Sequence, residues 1–91
     1  MGFEWDPQKN TQNIEKHGVS FEEAQLAFLD SGRVVLDDVK HSTSRERRYF
    51  LLGLVGECVL TVRFTVRGEN IRILGAGYWR AGKGMYEQAK E

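Results

Sequence analysis

The sequence predicts an α+β fold: two helices, then a four-stranded antiparallel sheet, then a closing helix. Three observations carry that prediction. Helix-start and helix-stop residues bracket two segments before residue 30, β-branched and alternating residues fill the stretch 33–76, and the pairs Gly56-Glu57 and Gly68-Glu69 are short turns between strands. At 91 residues the chain is expected to be one domain spanning 1–91, with a single modest core.

The first helix begins at Asp6-Pro7, where a carboxylate caps open backbone N–H groups and proline suits the first helical position. It runs to about Lys16 and stops at Gly18. Ile14 is its one interior apolar residue, whereas Lys9, Asn13, Lys16 and His17 share a face that reads as exposed to solvent or a partner. The second helix opens on the capping box Ser20/Glu23, with Val19 placed to staple onto Ala24, and buries Phe21, Ala24, Ala27 and Phe28. "DSG" at 30–32 ends it.

Strands are expected over 33–37, 47–55, 58–66 and 71–76. With two-residue turns, Thr65 lies opposite Arg72, Phe64 opposite Ile73 and Arg67 opposite Asn70. Val62, Phe64, Val66, Ile71 and Ile73 then face a core, and Arg63, Thr65, Arg67 and Arg72 face the other way with Arg48. Opposed like charges destabilise strand pairing, so this face calls for a counter-anion. Either Asp37, Asp38, Glu46 and Glu69 supply it, or a bound phosphate backbone or acidic partner does. Glycines at 75, 77, 82 and 84 suggest a bulge or close crossing at the last strand and a final helix from about Met85. Tyr78, Trp79, Arg80 and Lys83 are then displayed on the bend between them, where they either stack on bases and neutralise phosphates or cap the core.

Charge is divided along the chain. Residues 1–44 hold four Lys or Arg against eight Asp or Glu, and residues 45–91 hold nine against five, so a net charge of +0 conceals a cationic second half. A single Cys58 in an apolar run excludes an internal disulfide, reads as a packed thiol and suits a reducing compartment. The start "MGFEWDPQ" lacks a signal-peptide pattern, and no run reaches membrane-spanning length, so a cytoplasmic location is expected. Gly75-Ala76-Gly77 is no dinucleotide fingerprint, because no βαβ unit follows; Gly77 to Lys83 fails as a phosphate loop, because Gly84 stands where Ser or Thr must hold magnesium. Two histidines without companion ligands make no metal site, and no cofactor is expected. His41, in the polar loop "DVKHSTS", has the titration range of a general base, but nothing adjacent to it is expected to orient it.

The stretches "WDPQKNTQNIEKHGVSFEEAQLAF", "DDVKHSTSRERRYFLLGLV" and "LTVRFTVRGENIRILGAGYWRAGKGMYE" resemble the BrnT family of type II toxins, nearly end to end. The resemblance implies a RelE-like fold, metal-independent cleavage of RNA, and neutralisation by a BrnA-type antitoxin through which alone DNA is contacted. Many relatives read Ser-Ala-Arg where this chain has Gly75-Ala76-Gly77, so a family arginine is missing; the other family arginine matches Arg67. Cleavage by the 2′-hydroxyl needs in-line positioning, cations and proton transfer. Arg67, Arg72 and Arg80 are candidates for clamping the phosphate, and Lys83, Tyr86 or His41 for moving the proton. Arg48, Arg63, Arg72, Tyr78 and Trp79 are expected to bind RNA, and Lys9, Asn13 and Lys16 to meet the antitoxin. The alternative is a silent family member that binds antitoxin or RNA without cutting.

Overall fold

A computed structural model describes residues 2–91. The elements run β1 (Phe3–Glu4), α1 (Pro7–His17), α2 (Phe21–Ala24) continuing as a 3-10 turn (Gln25–Leu29), β2 (Val34–Asp37), β3 (Arg48–Val55), β4 (Cys58–Arg67), β5 (Asn70–Gly77) and α3 (Arg80–Gln88). The α+β class holds, but the sheet has five strands and is mixed, in the order β1-β5-β4-β3-β2. The added strand is β1, which pairs parallel to β5 through Phe3 with Ile71 and Glu4 with Arg72. Two residues are too short to show the alternation that marks a strand in sequence.

The helix signals act as their chemistry requires. Asp6 caps α1 by accepting from the Gln8 N–H at 2.9 Å, and Gly18 closes it in the left-handed conformation. The Ser20 hydroxyl accepts from the Glu23 N–H at 3.0 Å, and Val19, Phe21, Ala24 and Ala27 enter the core. What holds α1 is not an apolar stripe. Ile14 is 45% exposed, whereas Asn13 is only 8% exposed and uses its whole amide. Its Nδ2 donates to the Val19 and Ala76 carbonyls, each at 2.9 Å, and its Oδ1 accepts from the Ala76 N–H at 3.2 Å. β1 covers only the first part of the outer edge of β5, and Asn13 serves Ala76 as a missing strand would. Asn13, expected with Lys9 and Lys16 to meet the antitoxin, instead has its side chain spent inside the fold.

Strand register follows the turn argument. Thr65 pairs with Arg72, Phe64 with Ile73 and Arg67 with Asn70. A bulge then leaves Leu74 unmatched, because Phe64 faces Ile73 while Arg63 faces Gly75. The sheet buries one face, including Leu51, Leu60, Val62, Phe64, Ile73 and Ala76, beneath α2 and the 3-10 turn. Val66, at the end of that row, is half exposed. On the other face α3 covers only one end, where its Tyr86 packs with Leu52 and Val59. α3 begins at Arg80, not near Met85, despite Gly82 and Gly84. Gly82 is needed there because a Cβ would collide with the Thr61 hydroxyl, so the close approach to β4 outweighs helix propensity. Cys58 is exposed at the turn end of β4, which corrects the packed-thiol expectation.

Asn13→Ala should lower the unfolding free energy by about 2–4 kcal/mol, because it strands buried groups at Ala76 and Val19. Ile14→Ala should change it by less than about 0.5 kcal/mol. Urea titrations of the two variants beside the parent measure both.

Candidate nucleic-acid interface

The open sheet face carries the arginines, and most of them are neutralised within the chain. Arg72 Nη1 donates to Glu4 Oε2 at 2.7 Å. Arg48 Nε donates to Glu46 Oε1 at 2.7 Å, and Arg67 Nη2 lies 3.6 Å from Glu46 Oε2. Hydrogen bonds from Arg72 to Glu4 and from Arg48 to Glu46 hold both carboxyls below the usual carboxylate range. Of the acids expected to act as counter-anions, Glu46 does so here. Asp37 pairs with Arg47 and Asp38 with His41. Glu4 was not foreseen, because it reaches the face only through the parallel β1 pairing.

Arg63 stands apart from that network. Its guanidinium lies over Gly75, where a Cβ would come within 3.3 Å of Nε. Beside it α1 contributes Lys9, Gln12, Lys16 and His17, and these residues with Trp79 line a cavity of about 270 Å³ that has no carboxylate in its wall. Trp79 also borders a second cavity of about 320 Å³ with Arg80, Lys83, Tyr78, Cys58 and Glu57. The indole is held in place: it fills the space above Gly77, where a Cβ would approach it to 2.5 Å, and it meets His17 edge to face at 5.1 Å. Among the described residues, none of Lys9, Lys16, Arg63, Arg80 and Lys83 has a carboxylate partner within salt-bridge distance.

The expected site residues thus separate into three groups. Arg63, Trp79, Arg80 and Lys83 are brought together, and Lys9 and Lys16 join them from α1. Arg48, Arg67 and Arg72 sit toward the β4–β5 turn. Arg67 is six positions along β4 from Thr61, which pairs with Gly77 just before α3, so about 20 Å separates it from that end of the sheet. Arg67 and Arg80 therefore project from opposite ends of the open face. Tyr86 belongs to neither group. Its ring is buried under α3, and its hydroxyl donates to Asp30 Oδ2 at 2.5 Å.

That bond, aided by N–H donors from Leu54 and Gly32, pushes the Asp30 carboxyl down to about 2 and raises the Tyr86 hydroxyl. Tyr78 donates to Glu23 Oε2 at 2.5 Å, and burial followed by that bond pushes its hydroxyl up to about 12. Its ring remains partly exposed beside Trp79. His41 is oriented after all: Asp38, spaced i,i+3 in "DVKH", places a carboxylate 2.9 Å from its Nδ1. The uses of Lys9, Lys16 and His17 beside Arg63 also went unread, since they depend on α1 docking along the β5 edge. Their shared helix face was the available signal. No group of three or more His, Cys, Asp or Glu is arranged to hold a metal among the described residues. Nor, among them, is any helix long and apolar enough to cross a membrane.

A small α+β fold with an uncompensated cationic surface around a fixed indole has the features of a protein that handles a polyanion. The profile of the family described as "Ribonuclease toxin, BrnT, of type II toxin-antitoxin system" matches residues 5–82, and the chain belongs to that family. A search among curated proteins found no significant match.

The Asp30–Tyr86 contact sets a test. A carboxyl whose folded value lies below its ordinary one stabilises the fold above pH about 4, and that contribution is lost as pH falls toward 2. Tyr86→Phe should destabilise the protein at neutral pH and flatten its loss of stability between pH 4 and 2, as read by thermal melts across that range. Gly77→Arg should instead cost about 1–3 kcal/mol by displacing Trp79.

Proposed function

We propose that this protein is a metal-independent endoribonuclease toxin that binds one strand of RNA across the Trp79 surface and is neutralised by a BrnA-type antitoxin. The single observation that carries this is the set of five unpaired cations, Lys9, Lys16, Arg63, Arg80 and Lys83, gathered around a half-buried indole. Membership of a family of ribonuclease toxins supplies the reaction class. Cations without internal partners attract phosphates, and a fixed aromatic ring stacks on an unpaired base at little further entropic cost. Arg80 and Lys83 sit in the first turn of α3, whose cap position, Trp79, supplies no side-chain hydrogen bond, so its open N–H groups favour anions as well.

RNA carries its own nucleophile. Attack by the 2′-hydroxyl on the adjacent phosphorus requires alignment, charge stabilisation and proton transfer, all of which side chains can supply without a metal. In this reading Arg63, Arg80 and Lys83 hold phosphates near Trp79, while Arg67 and Arg48 engage the same strand further along β4. Tyr86 supports α3. The antitoxin covers Lys9 and Lys16 and so competes with RNA for the same cations. A silent binder is the second reading, favoured by Gly77: Trp79 occupies the space that the family's arginine would take.

The test is incubation of the protein in EDTA with naked RNA and with translating ribosomes, followed by analysis of fragment ends. Fragments bearing 2′,3′-cyclic or 3′-phosphate ends are expected, with Arg67→Ala folded but at least about tenfold slower. Bound but uncut RNA in both settings favours the silent reading.

A further inference from the structure

We propose that His41, held by Asp38, takes the proton from the attacking 2′-hydroxyl, in a cleavage centre that includes Arg48 and Arg67 at the end of the open sheet face away from Trp79. This rests on reading the chain as an RNA-cutting enzyme. It locates the chemistry apart from the Trp79 surface, which then grips the flanking strand.

The geometry starts at the end of β2. The Asp38 N–H donates to the Arg48 carbonyl at 2.8 Å, which continues the β2–β3 ladder by one residue beyond Asp37 and Tyr49. Alternation along the strands therefore sets the Asp38 side chain on the same face as Arg48, Arg63 and Arg67. The following loop is tied down rather than free. The Ser42 N–H and hydroxyl both donate to the Asp38 carbonyl, at 3.0 and 2.7 Å, and the Ser42 hydroxyl accepts from the Arg48 N–H at 2.8 Å. His41 is thereby returned over Asp38. Its N–H lies 3.2 Å from Oδ1, and its Nδ1 lies 3.0 and 2.9 Å from Oδ1 and Oδ2.

The protonation pattern follows from the partner. A carboxylate only accepts, so Nδ1 carries the hydrogen, and the lone pair of the neutral ring is on Nε2. Asp38 is 5% exposed and the His41 side chain 45% exposed, so the orienting group is buried and the ring faces solvent. Arg48 joins this unit twice, through its backbone bonds to Asp38 and Ser42 and through its guanidinium on Glu46. Glu46 in turn reaches Arg67, so two guanidinium groups are held beside the His41 loop. A loop clasp would account for the Asp38–His41 contact alone. It gives no reason for an exposed ring in the loop whose Glu46 meets both Arg48 and Arg67.

The step balances within RNA and solvent. The 2′-oxygen bonds to phosphorus and its proton passes to His41 Nε2, while Arg48 and Arg67 bear the charge that develops on the phosphoryl oxygens. The bond from phosphorus to the 5′-oxygen then breaks, that oxygen takes a proton from water, and the imidazolium returns its own to solvent. The products are a 2′,3′-cyclic phosphate and a 5′-hydroxyl.

The experiment compares the parent chain with His41→Ala, His41→Asn and Asp38→Asn on naked RNA and on translating ribosomes, with thermal melts and RNA-binding titrations alongside. The asparagine variant at 41 can still donate to Asp38, and so separates chemistry from loop structure. Both His41 variants should bind RNA as the parent does and cleave about 10²–10⁴-fold more slowly. Added imidazole should restore part of the His41→Ala rate. Asp38→Asn should lower kcat with KM unchanged and gain nothing from imidazole, because the ring is still in place. If His41→Asn cleaves at the parental rate, or if imidazole restores nothing to folded His41→Ala, the assignment is overturned while the ribonuclease reading stands. A parent protein that cuts neither substrate overturns both.

Discussion

The outer edge of β5 is the constraint on which the rest of the interface depends. β1 pairs with two residues of that edge and leaves the N–H and carbonyl of Ala76 without a strand partner. One amide, Asn13, meets both and the Val19 carbonyl as well, so α1 is docked by polar matching in a place where an unsatisfied group would be costly. Hydrogen bonds have direction, and this one fixes the rotation of α1 about its axis. Lys9, Lys16 and His17 follow, turned toward Arg63 and Trp79 with no carboxylate in the cavity they enclose. A helix docked only by Ile14 would have no such fixed azimuth.

The glycines of β5 complete the surface from below. Gly75 and Gly77 lie on the open face because the bulge at Leu74 resets the alternation after Ile73. With no side chains there, the Arg63 guanidinium and the Trp79 indole rest directly on the strand. A flat cation and a flat aromatic are thus presented side by side, each with one face supported. The opposite end of the same face is organised differently, with Glu4 and Glu46 drawing three arginines into fixed pairs. One end has free charge for binding, and the other has charge held in ion pairs.

Local chemistry was legible in the sequence and long-range pairing was not. Asp6, Pro7, Gly18 and Ser20 act within a few residues of themselves, so the helix ends could be read directly. The turns at Gly56 and Gly68 fix register by length alone, which is why the Arg63, Thr65 and Arg67 row was foreseen. The parallel pairing of β1 with β5 joins residues 68 apart, and nothing near Phe3 announces it. Glu4 as the partner of Arg72 was hidden for the same reason, as was the burial of Asn13. The helical start at Arg80 is hidden from glycine propensity, because the contact between Gly82 and Thr61 that overrides it joins residues 21 apart. Asp38 and His41 had a readable i,i+3 spacing, but only the turn over Ser42 shows that the carboxylate meets the ring.

The central claim is that the free cations around Trp79 form the surface that binds RNA, and the salt dependence of binding to a short single strand tests it most directly. Each phosphate neutralised contributes about −0.7 to the slope of log Kobs against log salt. The account predicts a slope of about −3 for the parent protein, made shallower by about 0.7 in Arg63→Ala and by about 1.4 in an Arg80→Ala/Lys83→Ala double variant. A slope near zero, or one that none of these substitutions changes, would contradict it.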